Sequence, residues 1–280
     1  MIKEVEGGQM KIRMVATDLD GTLLTSEKKI LEKTIGVLKK IQEQGISLLL
    51  VSGRPLASMY DFGEQVDCRA LIGMNGGQLF DRKSQTMLLK KTMEKDLSLS
   101  FYRAWKSPKI FSIFYGEKTM YSNRKYREES QETKKSLSLA QDGKHMKLVE
   151  VEDLADCHED IYKICMVGRP EDLQKEEEEI RKKFQDYLQI AYSSPYFLEA
   201  TPKGVDKGIT LDYFAQLEKI HPREIIAFGD SENDLPMLRY AGRSCAVKEA
   251  SQKVKDQVDL LIASNDDQGV CKYLEELFLL

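Results

Sequence analysis

The chain has 280 residues, enough for one large domain or two ordinary ones, and 41% of them are hydrophobic while 31% are charged. This composition is typical of a folded globular protein and excludes disordered, collagen-like and small disulfide-stapled chains. The 42 Lys and Arg residues nearly balance the 46 Asp and Glu residues, for a net charge of -4. Because sequence-independent binding to DNA or RNA needs a strongly basic surface, we expect no nucleic-acid partner.

The cysteines and the N-terminal segment indicate a cytoplasmic protein. The 5 cysteines lie far apart, are odd in number and form no CxxC pair, so the sequence predicts neither a disulfide framework nor a cysteine zinc site. No apolar run approaches the ~18 residues of a membrane span, and the first eleven residues, MIKEVEGGQMK, are too polar for a signal peptide. We therefore expect no membrane partner either, while the oligomeric state stays open.

The first third of the chain alternates predicted strands and helices. Short polar loops join these elements, which favours a parallel sheet with right-handed crossovers. A glycine-rich turn over residues 73–77 closes this part of the chain. The predicted elements are a strand over residues 12–17, a helix over 31–44, a strand over 46–51, a helix over 56–65 and a strand over 70–72.

The pattern changes between residues 78 and 196, where hairpin-like segments, a strand over 161–167 and the charged helix EDLQKEEEEIRKKF are predicted. The alternation then resumes with a helix over 209–217, a strand over 224–228, a helix over 235–240, strands over 244–247 and 258–263, and a helix over 269–278. We therefore predict an α/β protein with a Rossmann-like parallel sheet core. The core is expected over residues 1–84 and 196–280, and an inserted α/β cap domain over residues 85–195.

Carboxylates and other polar groups follow the predicted core strands at their carboxyl ends. They are Asp18 and Asp20, then Ser52, and finally Asp230 with Asn233 and Asp234. Ligands of an open parallel sheet bind beyond these ends, so the side chains should converge. Two like charges about 4 Å apart repel by about 4 kcal/mol at an effective dielectric near 20, so the cluster needs a cation. Oxygen ligands with no His or Cys nearby favour Mg²⁺.

Hydrogen-bond donors accompany these acids, namely Ser52, Lys207 and the backbone amides around Leu19 and Gly53. Donors beside a cation predict a bound anion, and a phosphate held in this way is set up for phosphoryl transfer. Asp18 is the expected nucleophile. Asp20 is the expected general acid and base, provided that the turn at Gly21 brings it over the site.

Four segments in this order resemble the motifs of the haloacid dehalogenase superfamily phosphatases. DLDGTLL, which begins at Asp18, resembles the first motif, and Ser52-Gly53-Arg54 resembles the second. Lys207 in PKGVDKG and the segment GDSEND at residues 229–234 resemble the third and fourth, while Asn75-Gly76 and the tail SNDDQGV resemble the Cof-type subgroup. The resemblance implies an α/β core with a mobile cap between the second and third motifs, Mg²⁺ dependence, and hydrolysis of small organic phosphates.

The resemblance also implies roles for individual residues. Asp18 would be nucleophile and metal ligand, Asp20 would be the acid and base and offer its carbonyl to Mg²⁺, and Asp230 would be a metal ligand. Asp234 would orient Lys207 or a metal-bound water. Phosphate contacts would come from Ser52, Lys207, Asn233 and the amides near Leu19 and Gly53. Arg54 and Asn75 face the same crevice and are expected to contact the substrate.

Two alternatives stay open at this point. A phosphosugar mutase of the same superfamily would return the phosphoryl group to its substrate, and release of free phosphate without a bisphosphate activator would argue against it. A non-catalytic module that binds phosphorylated metabolites would be expected to have lost Asp18 or Asp20, and both are present. For the preferred phosphatase, we expect a sugar phosphate, or a phosphorylated cofactor or its precursor, as substrate.

Overall fold

The computed structural model describes residues 11–104, 110–122 and 146–280, which form two β-sheets with helices packed against them. In chain order, the strands of these residues are β1 (Met14–Thr17), β2 (Ser47–Val51), β3 (Ala70–Gly73), β4 (Gln78–Asp81), β5 (Thr86–Lys90), β6 (Phe111–Tyr115), β7 (Thr119–Ser122), β8 (Lys147–Glu150), β9 (Lys163–Val167), β10 (Leu188–Ser194), β11 (Phe197–Pro202), β12 (Ile225–Gly229), β13 (Arg243–Val247) and β14 (Leu260–Ile262). The helices are α1 (Glu32–Glu43), α2 (Tyr60–Val66), α3 (Lys95–Ala104), α4 (Pro170–Phe184), α5 (Lys207–Leu217), α6 (Leu235–Tyr240), α7 (Gln252–Lys255) and α8 (Gly269–Phe278). Within the described ranges, no helix has both the length and the apolar character that a membrane crossing requires.

The larger sheet is the core of the molecule, and its strand order is β14-β13-β12-β1-β2-β3-β4-β5. Its strands pair in parallel from β14 to β3, whereas β4 and β5 are antiparallel. Successive residues of β1 pack into two separate apolar clusters, Val15 into one and Met14 with Ala16 into the other. The sheet is therefore buried on both faces, which explains why its strands are continuous apolar runs. The predicted parallel α/β core is confirmed.

The smaller sheet, with the order β10-β11-β9-β6-β7-β8, forms the cap. Its pairs are antiparallel except for β7 and β8. The rings of Phe101 on α3 and Phe184 on α4 pack together in the apolar cluster of the cap, with their centroids 5.0 Å apart. Helix α4 corresponds to the predicted charged helix, and it buries Leu173, Ile180 and Phe184 while Glu178 and Glu179 are exposed.

Two strands fall on the other side of the predicted domain boundaries. β5 was expected in the cap, but it pairs with β4 in the core sheet. The reason is a tight hairpin, in which the Asp81 side chain accepts hydrogen bonds from the amides of Lys83 and Ser84. β11 was expected in the core, but it pairs with β9 and β10 and buries Leu198 and Ala200 in the cap.

Candidate active site

The predicted site residues lie at one edge of the core sheet. β12, β1, β2 and β3 are adjacent parallel strands, so their carboxyl ends meet at this edge. Asp18 follows β1, Ser52 follows β2, Asp230 follows β12, and the turn that holds Asn75 follows β3. The fold therefore brings together residues that are more than two hundred positions apart in the sequence.

Lys207 joins two of the acids. It is the first residue of α5, its side chain is 1% exposed, and its Nζ lies 2.6 Å from Asp18 Oδ1 and 2.5 Å from Asp234 Oδ1. Burial alone would lower the pKa of Lys207, but the charges of Asp18 and Asp234 outweigh it and raise the pKa above its ordinary value. Lys207 therefore remains a buried cation.

The acids themselves form a compact cluster. One carboxylate oxygen from each of Asp18, Asp230 and Asp234 lies within 4.8 Å of the other two. Asp234 Oδ2 accepts hydrogen bonds from the amides of Asp230 and Ser231, both at 3.0 Å, while Oδ1 accepts from Lys207. Because both oxygens of Asp234 are engaged in this way, this residue positions Lys207 and the Asp230 loop.

The electrostatics of the cluster fit a divalent cation. Burial raises the pKa of Asp18 well above its ordinary value, and the charges of Asp234 and Asp230 act in the same direction, while Lys207 opposes them. Burial and the charge of Asp234 raise the pKa of Asp230 to about 7. A cation between these carboxylates removes the repulsion, and an all-oxygen set of donors suits a hard ion of the Mg²⁺ type.

A glycine is required at the turn within the first motif. Gly21 has a φ of 81°, and a Cβ at this position would lie 2.7 Å from Asp230 Oδ2. Any other residue would displace the carboxylate or strain the turn. Asp230 is also fixed from the same loop, because Thr22 Oγ1 donates to its Oδ1 at 3.2 Å.

The carboxylate of Asp20 binds basic side chains other than Lys207. Its carboxylate accepts two hydrogen bonds from Arg54, at 2.6 and 2.7 Å, and one from Lys28 at 2.7 Å. Burial would raise the pKa of Asp20, but the hydrogen bonds and charges of Arg54 and Lys28 outweigh it and hold the pKa well below its ordinary value. Arg54 was expected to contact the substrate, and in this structure it forms a bidentate pair with Asp20 beside the same cleft.

Ser52 and Leu19 are placed by their own loops. Ser52 is buried, and its Oγ accepts a hydrogen bond from the amide of Arg54 at 3.2 Å. Leu19 is fully buried, and its side chain packs in the core. Its carbonyl accepts from the amides of Thr22, Leu23 and Leu24, which fixes the turn that follows Asp18.

Two charged residues of the cap reach the site, and the sequence analysis missed both. Lys163 on β9 and Glu199 on β11 form an ion pair at 2.6 Å, with side chains 4% and 7% exposed. Lys163 Nζ also donates to the carbonyl of Gly53 at 2.7 Å, and Asn75 Nδ2 donates to Glu199. The missed signal was one charged residue in each of two largely buried strands, KICMV and FLEATP, which is rare unless the charge is paired.

Asn75 links the fourth motif to the Lys163–Glu199 ion pair by hydrogen bonds. Asn233 Nδ2 donates to Asn75 Oδ1 at 3.1 Å, and both side chains are buried. Asn233 Oδ1 is buried as well, and among the described residues it has no hydrogen-bond partner. Asn75 itself has a left-handed backbone, with φ 54° and ψ 32°, which asparagine adopts more readily than most residues.

A cleft of about 390 Å³ lies between the core and the cap at this edge of the sheet. Asp18, Ser52, Asp230 and Asn233 line it from the core. From the cap it is lined by Tyr115, Lys163, Ser193, Ser194, Phe197 and Glu199. A bound molecule would therefore contact the acids and the donors on one side and the cap on the other.

Comparisons with known proteins cover nearly the whole chain. The model of the haloacid dehalogenase-like hydrolases matches residues 15–274. A solved haloacid dehalogenase-like hydrolase from Bacteroides thetaiotaomicron is 28% identical, with a TM-score of 0.80 over 96% of this chain and 100% of that chain. The HMP-PP phosphatase of Serratia proteamaculans is 26% identical over 94% of each chain. The 5-amino-6-(5-phospho-D-ribitylamino)uracil phosphatase of Bacillus subtilis is 25% identical over 95% of this chain and 98% of its own length.

Proposed function

The chain belongs to the haloacid dehalogenase-like hydrolase family, and we propose that it is a Mg²⁺-dependent phosphatase that hydrolyses small phosphomonoesters through an aspartyl-phosphate on Asp18. The observation that supports this proposal most strongly is the buried Lys207 ammonium, 2.6 Å from Asp18 Oδ1 and 2.5 Å from Asp234 Oδ1. A fixed cation beside a carboxylate nucleophile provides the charge arrangement that phosphoryl transfer requires.

In the first half of the proposed reaction, a carboxylate oxygen of Asp18 attacks phosphorus and the bond from phosphorus to the leaving oxygen breaks. Lys207, Ser52 and Asn233, with the amides of Leu19 and Gly53, would bind the phosphoryl oxygens. Asp18, Asp230 and the carbonyl of Asp20 would hold Mg²⁺, which when bound offsets the charge on the phosphoryl group.

In the second half, a water molecule attacks phosphorus, the bond from phosphorus to Asp18 breaks, and inorganic phosphate leaves. Arg54 and Lys28 keep the Asp20 carboxylate ionised, and this is the form that can take the proton of the attacking water. When its contacts with Arg54 and Lys28 are released, the Asp20 carboxyl can hold a proton, and in the first half of the reaction it would deliver this proton to the leaving oxygen. Asp20 would therefore serve both halves of the reaction.

The position of the cleft supports a small phosphorylated metabolite as substrate. The phosphate would lie at the core edge and the remainder of the molecule against the cap, where Ser193 and Ser194 offer polar contacts and Tyr115 and Phe197 offer aromatic faces. A sugar phosphate, or a phosphorylated cofactor or its precursor, fits this mixture. We also propose a cytoplasmic location, because all five cysteines are free and buried.

A phosphate-release screen over a panel of phosphorylated metabolites tests this function. We expect free phosphate from at least one sugar phosphate or cofactor phosphate, loss of activity in EDTA, and recovery when Mg²⁺ is added in excess. Turnover that needs a bisphosphate activator and releases no phosphate would favour the mutase instead. Full activity in EDTA would contradict the metal requirement.

Mg²⁺ should raise the melting temperature more at about pH 8 than at about pH 6. Burial raises the pKa of Asp230 to about 7, so a cation must displace a proton at the lower pH but not at the higher one. In the absence of the cation, this carboxyl binds its proton more tightly in the folded than in the unfolded state, so stability falls as the pH rises from 3.8 to about 7. Melting curves with and without Mg²⁺ at both pH values measure the effect, and equal shifts would contradict it.

Replacing Asp20 by Asn should lower kcat by about 10²- to 10⁴-fold, the usual contribution of a general acid and base. With p-nitrophenyl phosphate, whose leaving group needs little protonation, we expect the loss to fall on hydrolysis of the phosphoenzyme. Initial rates of phosphate release measure the loss. Asp61→Asn, at an exposed carboxyl on α2, is the matched control and should keep the wild-type rate.

A further inference from the structure

Four buried side chains form a continuous chain of hydrogen bonds from the cap to the loops of the core. Lys163 donates to Glu199 Oε1, Asn75 donates to Glu199 Oε2, and Asn233 donates to Asn75 Oδ1. We call these four residues the cap relay. The relay ends on the fourth motif, one residue before Asp234, the carboxylate that binds Lys207.

The relay has a fixed direction. A carboxylate only accepts hydrogen bonds, so Asn75 must turn its NH₂ group towards Glu199 and its oxygen towards Asn233. Asn233 must then turn its NH₂ group towards Asn75. Reversing either amide would place oxygen against oxygen or donor against donor, so the orientation of the Asn233 amide is determined by Glu199.

The surroundings of Asn233 support this assignment. Its Oδ1 is buried with no hydrogen-bond partner among the residues described, so nothing on that side of the amide selects its orientation. A buried acceptor without a partner is unfavourable, and an amide free to rotate would turn it towards a donor. The relay therefore imposes an orientation that the side chain would not keep by itself.

The relay is also packed tightly against the second motif. A Cβ on Gly53 would lie 2.9 Å from Asn75 Oδ1 and 3.3 Å from Glu199 Oε2. The backbone amide of Asn75 donates to the carbonyl of Ser52 at 3.1 Å, which anchors the left-handed residue to the same loop. Asn75 therefore has little freedom to leave the relay.

Lys163 acts on the second motif directly. Its Nζ donates to the carbonyl of Gly53 at 2.7 Å. The same peptide unit carries the amide of Arg54, which donates to Ser52 Oγ at 3.2 Å. One end of the cap ion pair thus holds the Ser52 loop, and the other end orients the Asn233 amide.

We infer that Lys163 and Glu199 are positioning residues of the phosphate site, through which the cap sets the geometry of Ser52 and Asn233. This inference rests on the proposed phosphatase function. A residue that contacts only the leaving group changes the ranking of substrates, whereas a positioning residue of the phosphate site affects every phosphomonoester to the same extent. Inorganic phosphate, which has no leaving group, should be affected too.

The test is Glu199→Gln, which keeps the size of the side chain but can either donate or accept, so it no longer enforces one orientation. We expect kcat/KM to fall about tenfold for both p-nitrophenyl phosphate and the best metabolite substrate. The Kd of inorganic phosphate, measured by calorimetry in Mg²⁺, should rise by a similar factor. Glu178→Gln, at an exposed position on α4, is the matched control and should leave both values unchanged.

A double-mutant cycle with Asn233→Ala separates positioning from a general loss of structure. In the Asn233→Ala background, Glu199→Gln should lower phosphate affinity and kcat/KM much less than it does in the wild-type protein, because the amide that Glu199 orients is gone. If Glu199→Gln fails to fold, Asn75→Gly interrupts the relay while it tolerates the positive φ, and it should weaken phosphate binding in the same way.

Any one of three results would overturn the inference. The first is an unchanged phosphate affinity in Glu199→Gln and Asn75→Gly, and the second is a loss of kcat/KM that is confined to substrates with one leaving group. The third is full additivity of the two substitutions in the double-mutant cycle. These results are distinct from failure of the proposed function, in which the wild-type protein itself releases no phosphate from any substrate.

Discussion

Replacing Asp18 by Asn should reduce the rate of phosphate release by roughly 10⁴- to 10⁶-fold, as removal of a catalytic nucleophile does in other hydrolases. An amide cannot form the acyl phosphate, and it also removes one of the three clustered carboxylates. The fold should persist, because the Asn oxygen can still accept the hydrogen bond that Lys207 now donates to Asp18. Steady-state rates and a thermal melt of the same preparation measure both expectations.

Asp230→Asn is the matched comparison for this experiment. It lowers the charge of the same cluster but leaves the nucleophile in place, so excess Mg²⁺ should restore much of its activity. Excess Mg²⁺ should not restore Asp18→Asn. A folded Asp18→Asn protein with a rate near that of the wild type would remove Asp18 from the role of nucleophile.

Replacing Lys207 by Met should have the second-largest effect, on stability as well as on activity. The two carboxylates that now bind Lys207 would lose their shared buried partner, and breaking a buried ion pair from one side costs about 3–5 kcal/mol. Loss of the fixed cation should also lower kcat by about 10²- to 10³-fold. Urea unfolding at neutral pH and initial rates measure the two effects.

Lys39→Met is the control for this variant, because Lys39 is an exposed lysine on α1. It should change neither the free energy of unfolding nor the rate. A Lys207→Met protein as stable and as active as the wild type would contradict the account of the charge cluster.

Much of this fold could be predicted because the strands of a parallel sheet end at one edge. Each of β1, β2 and β12 is an apolar run that stops at a polar residue, namely Asp18, Ser52 and Asp230. The family resemblance drawn from these motifs is confirmed by the match over residues 15–274. The individual roles of the site residues stay predictions that the experiments above address.

The cap and its contacts were harder to predict because they depend on pairing between distant strands. The placement of β5 and β11 follows from a hairpin and from antiparallel pairing, and their residue patterns do not indicate which of the two sheets each strand joins. Lys163 and Glu199 are partners on adjacent strands, 36 positions apart, and no sequence motif links them. The bidentate contact of Arg54 with Asp20 was likewise invisible, because only the fold brings residues 34 positions apart together.

Direct detection of the phosphoenzyme tests the central claim. The Asp20→Asn protein is mixed with p-nitrophenyl phosphate and Mg²⁺, quenched in acid, digested with pepsin at acidic pH and analysed by tandem mass spectrometry. The account predicts a phosphoryl group on Asp18, absent when EDTA replaces Mg²⁺ or when Asp18 is also replaced by Asn. Turnover with no phosphoryl group on Asp18, or with the group on another residue, would contradict it.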